Sequence, residues 1–516
     1  MREFLSMAAN RAVDEYAIIS CGIPGQSLME RAGKAVVQQM DSSGYLDGSP
    51  EILILSGHGN NGGDGYVIAA DLQARGIKAS LIHVAEKQNI RGDALFHFEK
   101  LDPHNISMEF WQNTSQQRQQ IMNADVIVDA LLGTGISGEI RAPYDTLIKL
   151  MNQSKGRCIA VDVPSGVTGD TGSVLDPCIH AELTVSVGYG KQGCLFEPAR
   201  SLCGNVIPVD IGFPADSLEH VDAHILFKIE DEDFPTETFV RHSATHKYTA
   251  GKVFIIAGSK GFTGAALLAS TAALRSGAGL VRLALPRSLG HIAECVSLET
   301  VVDYVAETET QGLSLRSLPA LQHGCEWADT VVIGPGLGRH PETIELVQKM
   351  IKSCNKPMVV DADALFALNE DAAILSQREA PTIITPHAGE FKRLIGQSGD
   401  DKPSWQDARK FAMDHKISVL LKGAPSILAS SDGQVFVNAT GYAGMATAGS
   451  GDVLSGVIGS LWSQWFDQPG VLNFAMHIHG RAADLNKLEK GVLGLIASDI
   501  VEALPTALSK YGSIPA

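Results

Sequence analysis

The sequence predicts an α/β protein of two domains, the first built around a doubly wound sheet and the second around another parallel sheet. Three observations carry this. At 516 residues the chain exceeds what one hydrophobic core ordinarily supports. Short aliphatic runs recur along it, and run after run ends in a polar, glycine-rich loop, the pattern of strands feeding ligand loops. Between Gly212 and Lys247 glycines thin out and charges gather, as in Glu230-Asp231-Glu232-Asp233, which sets a boundary near residue 225. The expected domains are therefore 1–225 and 226–516.

In the first domain, residues 7–40 carry apolar positions at helical spacing, broken by Gly22, Pro24 and Gly25 into two helices. Ile52-Leu53-Ile54-Leu55 reads as a buried strand. The loop Gly57–Gly65 (GHGNNGGDG) follows, then a helix from Tyr66 to Arg75 stopped by Gly76, then a strand Ala79–Val84. The layout repeats twice. Asp125–Leu132 leads into Gly133-Thr134-Gly135-Ile136-Ser137-Gly138-Glu139, and Cys158–Val163 leads into Pro164-Ser165-Gly166. A turn needs one or two glycines, so these loops read as ligand loops. In an open parallel sheet such strand ends lie side by side, and Asn61, Asp129, Asp162 and Ser165 are expected to converge.

Composition narrows the function classes. Hydrophobic residues at 45% and charged residues at 19% describe a folded chain. The formal net charge of -17 argues against a nucleic-acid surface, which needs a basic stripe. None of the 8 cysteines forms a CxxC pair, so neither a zinc ribbon nor a disulfide framework is indicated. The N-terminus lacks an apolar signal-like stretch, and Arg275 and Arg282 interrupt the apolar region 265–285. A cytoplasmic protein without membrane association is expected.

The loop GHGNNGGDG, the segment VDALLGTGISGEIRAPY and the segment VDVPSGVTGDTG together resemble the NAD(P)HX epimerase domain of the YjeF family, over most of residues 1–225. The resemblance implies a Rossmann-like fold and a substrate, NADH or NADPH hydrated at C6 of the nicotinamide ring, whose two epimers are interconverted. It implies that Asn60, Asn61, Gly62, Gly63, Asp64, Gly133, Thr134, Gly135, Ile136, Ser137, Gly138, Glu139 and Tyr144 line the dinucleotide. Asn61, Asp129 and Ser165 would hold a potassium ion, in keeping with all-oxygen ligands for a hard cation. Asp162 would act as acid/base beside the ring.

The second domain opens with the strand Lys252–Ala257 and the loop Gly258–Gly264, then a helix Ala265–Ser276 and a strand Leu280–Leu285. Val331–Ile333 enters Gly334-Pro335-Gly336-Leu337-Gly338, Met358–Val360 enters Asp361-Ala362-Asp363, and Ile383-Ile384 enters Thr385-Pro386-His387. Val419–Leu421 enters Lys422-Gly423-Ala424-Pro425-Ser426. Last comes Thr447-Ala448-Gly449-Ser450-Gly451-Asp452, running into a helical pattern Val453–Trp462. Such a junction serves either as a helix start capped by Asp or as an anion site built from free backbone N–H groups. As the final member of an ordered series of strand-end loops, it reads as a catalytic loop.

GSKGFTGAA, GPGLG, VVDADAL, ITPHAGEF, KGAPS and ATAGSGDVLSG resemble, in order, the ribokinase-like ADP- or ATP-dependent NAD(P)HX dehydratase domain, departing from it at Tyr248-Thr249-Ala250. The resemblance implies dehydration of the S epimer driven by cleavage of a nucleotide, with ADP the preferred one and Mg2+ its charge partner. Ala266, Gly338 and His387 would contact the hydrate. Lys422, Gly423, Ala424, Pro425, Ser426, Gly449, Ser450 and Gly451 would bind ADP, and Asp452 would be the base. A homo-oligomer is the expected assembly.

Two further readings fit the same residues. A GxGD stretch before a helix also marks small-molecule kinases, and a non-catalytic nucleotide binder would tolerate loss of Asp162 and Asp452. A helix N-terminus should lower the pKa of Asp452 and so weaken it as a base. His477 and His479, two residues apart, are expected on different helix faces.

Overall fold

The computed structural model describes all residues except 85, 102–105, 137, 236–240, 369–370, 467–469 and 513–516. The chain divides into two compact units, residues 2–226 and 227–516.

In the first unit, the strands Ile52–Ser56 (β1), Ala79–His83 (β2), Ser107–Phe110 (β3), Val126–Ala130 (β4), Arg157–Val161 (β5), Leu183–Val187 (β6) and Asn205–Val209 (β7) form a sheet in the order β7-β6-β5-β4-β1-β2-β3. Every pair is parallel. β1 and β4 are buried along their whole length, as a sheet covered on both faces requires. Alternation divides the core: Ile54, Val128 and Val161 pack with Val36, Tyr66 and Leu72, whereas Leu53, Leu55 and Ile127 pack with Leu147, Ile148 and Met151. The strand order reverses between β1 and β4, and that reversal opens the crevice where such sheets take ligands.

The helices that frame this crevice are Gly25–Ser42 (α1), Asn60–Ala74 (α2) and Tyr144–Gln153 (α3). The start of α2 corrects the sequence reading, which left everything to Gly65 as loop. Only Gly57–Gly59 connects β1 to α2, and Asn60–Gly65 form the first turns of the helix. Their glycines serve close packing. A Cβ on Gly62 would lie 2.1 Å from the Gly57 carbonyl oxygen, and one on Gly63 would lie 2.5 Å from the Met29 sulfur.

In the second unit, Lys252–Ile256 (β8), Leu280–Pro286 (β9), Val301–Val305 (β10), Thr330–Ile333 (β11), Met358–Val360 (β12), Thr382–Ile384 (β13), Ser418–Leu421 (β14), Ile427–Ala429 (β15) and Val435–Asn438 (β16) run in the order β16-β15-β14-β13-β12-β11-β8-β9-β10. The stretch from β10 to β14 is parallel, with its reversal between β8 and β11. β15 and β16 add an antiparallel pair beyond β14 that the parallel-sheet expectation did not include.

Helices Thr263–Arg275 (α4), Ala388–Leu394 (α5), Ser450–Gln464 (α6), Val471–Leu485 (α7) and Ala497–Ser509 (α8) complete the part that matters for the site. α4 and α6 pack through small residues: a Cβ on Gly456 would stand 2.1 Å from the Ala269 carbonyl oxygen. The departing segment at Tyr248 folds as a turn, with the N–H groups of Thr249 and Ala250 donating to the His246 carbonyl. Among the described residues no helix is long and apolar enough to cross a membrane.

Candidate active sites

The crevice of the first unit is a cavity of about 570 Å³. The start of α2 and the loops after β4, β5 and β6 line it with Asn60, Asn61, Asp64, Gly133, Thr134, Gly135, Ile136, Asp162 and Lys191. Asp162 directly follows β5 and holds a left-handed backbone, φ 68°, unusual for a residue other than glycine. Its Oδ1 accepts the N–H of Val187 at 3.2 Å and pairs with the Lys191 ammonium. Lys191 is 95% shielded by side-chain area, and its remaining hydrogens go to the carbonyls of Val187 (2.7 Å) and Tyr189 (3.2 Å).

Two more carboxyls face this pair. Burial, reinforced by repulsion from Asp162, pushes Asp64 well above the usual carboxylate range. Burial also lifts Asp14, at the mouth, to about 6, a rise that Lys191 tempers and Asp162 supports. The sequence reading missed Lys191 and Asp14. A signal for Lys191 existed, because Val187-Gly188-Tyr189-Gly190-Lys191 is one more strand ending in a glycine-rich loop.

Beside the cavity sits a nest of buried oxygens. Asp129 is fully buried and receives the Ser165 N–H at 2.7 Å, the Ser165 hydroxyl at 2.6 Å and the Leu131 N–H at 3.2 Å. Burial nonetheless lifts it to about 6, since these hydrogen bonds only partly stabilise the charge. Asn61 donates its amide to the Leu132 carbonyl at 3.1 Å, leaving its own buried Oδ1 without a hydrogen-bond partner. An orphaned amide oxygen beside a buried carboxylate, a hydroxyl and a carbonyl suits a hard cation.

Other expected residues are placed differently. Gly62 and Gly63 are buried inside α2 and do not line the cavity. Gly138 and Glu139 lie beyond the lining as well, and Ser137 falls outside the described residues. Tyr144 meets the cavity through His58, whose Nδ1 lies 3.0 Å from the phenol oxygen.

In the second unit the strand ends of β12, β13 and β14 converge on the start of α6. Lys422 extends its ammonium to Asp361 Oδ1 at 2.8 Å, and the Ser455 hydroxyl donates to Asp361 Oδ2 at 2.6 Å. A Cβ on Gly451 would lie only 3.2 Å from the Lys422 nitrogen, so the ammonium rests against the first turn of α6. Burial works against the charge on Lys422, but Asp361, Glu390 and Asp452 outweigh it and raise the pKa.

Gly449, at φ 90°, holds the cap position of α6, and no side chain caps the helix. Asp452 therefore stands inside the first turn, which excludes the capping reading. Nor does the helix dipole lower its pKa, as the sequence reading expected. Desolvation, then repulsion from Asp361, outweighs Lys422 and lifts Asp452 to about 6. The ring of His387 caps α5, accepting from the N–H groups of Gly389 and Glu390, while the Lys422 N–H donates to the Pro386 carbonyl at 2.8 Å. Gly338 donates its N–H to Asp363 at 2.9 Å.

Gly423 and Ala424 are exposed on the loop that leaves β14, with Ser426 half-buried and Pro425 buried. Ala266 is fully buried in the core between α4 and the sheet. His477 faces Asp231 at 2.8 Å and His479 faces Ser450 at 3.5 Å, so the two do point to different neighbours.

Comparison with known proteins addresses both clefts. The family model described as YjeF-related protein N-terminus matches residues 25–193, and the model described as NAD(P)H-hydrate dehydratase matches residues 253–506. A bifunctional NAD(P)H-hydrate repair enzyme of Moorella thermoacetica is 36% identical over 96% of this chain and 94% of its own. The chain belongs to the bifunctional NAD(P)H-hydrate repair enzyme family. A second member of that family, from Thermofilum pendens, is 35% identical over 96% of this chain and 94% of its own. Among solved structures, the ADP/ATP-dependent NAD(P)H-hydrate dehydratase of Bacillus subtilis, co-crystallised with ATP and Mg2+, is 26% identical, with a TM-score of 0.43 over 52% of this chain and 93% of that one. In this repair-enzyme chain each matched segment falls within one unit and contains that unit's charged cleft.

Proposed function

We propose that this chain repairs hydrated NADH and NADPH, the first unit interconverting the R and S epimers and the second dehydrating the S epimer with ADP. The observation that carries the reading is the pairing of each matched segment with its own cleft, Asp162–Lys191 in one and Asp452–Lys422–Asp361 in the other. In the first cleft, Asn60, Asn61, Asp64 and Gly133–Ile136 bind the dinucleotide, and Asp162 shuttles the proton at the C6 hydroxyl. Lys191 fixes the position of that carboxylate. Potassium fits the oxygens of Asn61, Asp129 and Ser165, where it would neutralise Asp129 and satisfy the orphaned Asn61 oxygen.

In the second cleft the free N–H groups at the start of α6 and the Lys422 ammonium receive the phosphates. Asp452 accepts the C6 hydroxyl proton, and the hydroxyl oxygen attacks the β-phosphorus of ADP as the bond to AMP breaks. The resulting phosphate ester leaves from C6 while C5 loses a proton, which restores the ring double bond. Magnesium would supply charge stabilisation on the nucleotide. We expect the repair enzyme to assemble as a homo-oligomer in the cytoplasm.

The test is a mixture of both NADHX epimers supplied with ADP, magnesium and potassium. Full recovery of NADH beyond the spontaneous rate of epimerisation supports both activities. Recovery of the S fraction alone removes the first, and no recovery overturns the proposal.

A further inference from the structure

Asp361 has no place in the reaction as described, yet it is the most enclosed charged group of the second cleft, 1% exposed at the end of β12. Its backbone is fixed from below, with its N–H donating to the Ile333 carbonyl at 3.0 Å, and a Cβ on Gly334 would collide with its carbonyl oxygen. Both carboxylate oxygens are committed. Oδ1 holds Lys422 at 2.8 Å, and Oδ2 takes the Ser455 hydroxyl at 2.6 Å. Ser455 stands three residues after Asp452 on α6, so the two share a helix face. The anion is thereby locked against the face that carries the proposed base, while the ammonium it holds rests on the turn proposed to bind phosphate.

We infer that Asp361 is a positioning residue for dehydration: it anchors the Lys422 ammonium at the start of α6 and stations a fixed negative charge beside Asp452 that keeps that carboxylate proton-accepting. The inference rests on the reading of Asp452 as the base and adds what makes it one. A carboxylate at a helix N-terminus is otherwise made a poor proton acceptor. The charged groups facing Asp452 are Asp361 from β12, Asp363 from the short helix Asp363–Phe366, Glu390 from α5 and Lys422 from β14. Of the three acids, Asp361 acts on it most strongly, and the net effect with burial is a value of about 6.

The substitution Asp361→Asn keeps the shape and removes the charge. Carbon-13 NMR of enzyme labelled at the aspartate carboxyl, with the Asp452 signal assigned by its loss in Asp452→Asn, reads the titration without requiring turnover. The expected result is a midpoint about one pH unit lower in Asp361→Asn than in the native chain. The acidic limb of ADP-dependent kcat should move with it, and KM for ADP should rise on the order of tenfold as Lys422 loses its anchor. Ser455→Ala, which leaves the charge in place, should keep the native midpoint.

Should Asp361→Asn fail to melt cooperatively, Asp361→Ser removes the same charge and leaves room for a water beside Lys422. An unmoved Asp452 midpoint in the folded neutral variant overturns the inference. So does a native Asp452 that titrates in the ordinary carboxylate range. Absence of turnover in the native enzyme would instead overturn the proposed dehydration, and the NMR titration would still decide the electrostatic part.

Discussion

Asp129 and Ser165 are joined twice, through the serine hydroxyl at 2.6 Å and its backbone N–H at 2.7 Å, and both residues are fully buried. The pair links the ends of two neighbouring strands, and Ser165 shares the Leu132 carbonyl with the Asn61 amide, whose own Oδ1 is buried without a hydrogen-bond partner.

The buried carboxylate makes stability depend on pH. Asp129 has a folded pKa of about 6 against an ordinary 3.8, so the folded state binds the proton more tightly than the unfolded one. Stability from this group is full below the unfolded value and is lost as pH rises through 6, at a cost of about 3 kcal/mol. A potassium ion held there, as proposed, would remove that cost. At pH 7.5 the melting temperature should rise with potassium chloride and not with tetramethylammonium chloride, and Asp129→Asn should abolish the difference.

Lys191→Met should lower epimerisation by about two orders of magnitude, because Asp162 loses the group that fixes it. Dehydration of pure S epimer by the same variant should be unaffected. Equal loss of both activities would count against a local role.

Asp452→Asn should bind ADP within a few-fold of native and lose dehydration, read by titration calorimetry and by NADH absorbance. In the native chain kcat should fall on the acid side with a midpoint near pH 6, because the base must be ionised to accept a proton and burial with its acidic neighbours lifts it there. A pH-independent kcat between 5 and 7 would contradict the assignment.

Gly456→Ala should destabilise the second unit by about 1–3 kcal/mol, since the added methyl meets the Ala269 carbonyl oxygen across the α4–α6 contact. A calorimetric melt measures it. Gly135→Ala, with open space around its Cβ, is the matched control and should shift the melt little.

The order of strand-end loops was legible in the sequence, because an aliphatic run followed by glycines is a local pattern that backbone sterics and burial enforce residue by residue. That pattern placed Asn61, Asp129, Asp162 and Ser165 at one end of one sheet and Lys422, His387 and Asp452 at one end of another. Local pattern also misled. The glycines of Asn60–Gly65 look like loop residues, yet they form a helix whose bare backbone fits beneath Gly57 and Met29.

Tertiary structure alone decided the rest. Ala266 belongs to a matching motif but lies wholly in the core, because helix rotation is set by packing partners that are distant in the chain. Lys191 meets Asp162, and Asp361 meets Lys422 and Ser455, across separations of 29, 61 and 94 residues that no periodicity encodes. The chemical state of the sites follows the same division. The sequence supplied a carboxylate at the start of a helix, where the dipole would make it a weak base. Burial and the neighbouring Asp361, which exist only once the sheet is assembled, reverse that and leave Asp452 able to accept a proton.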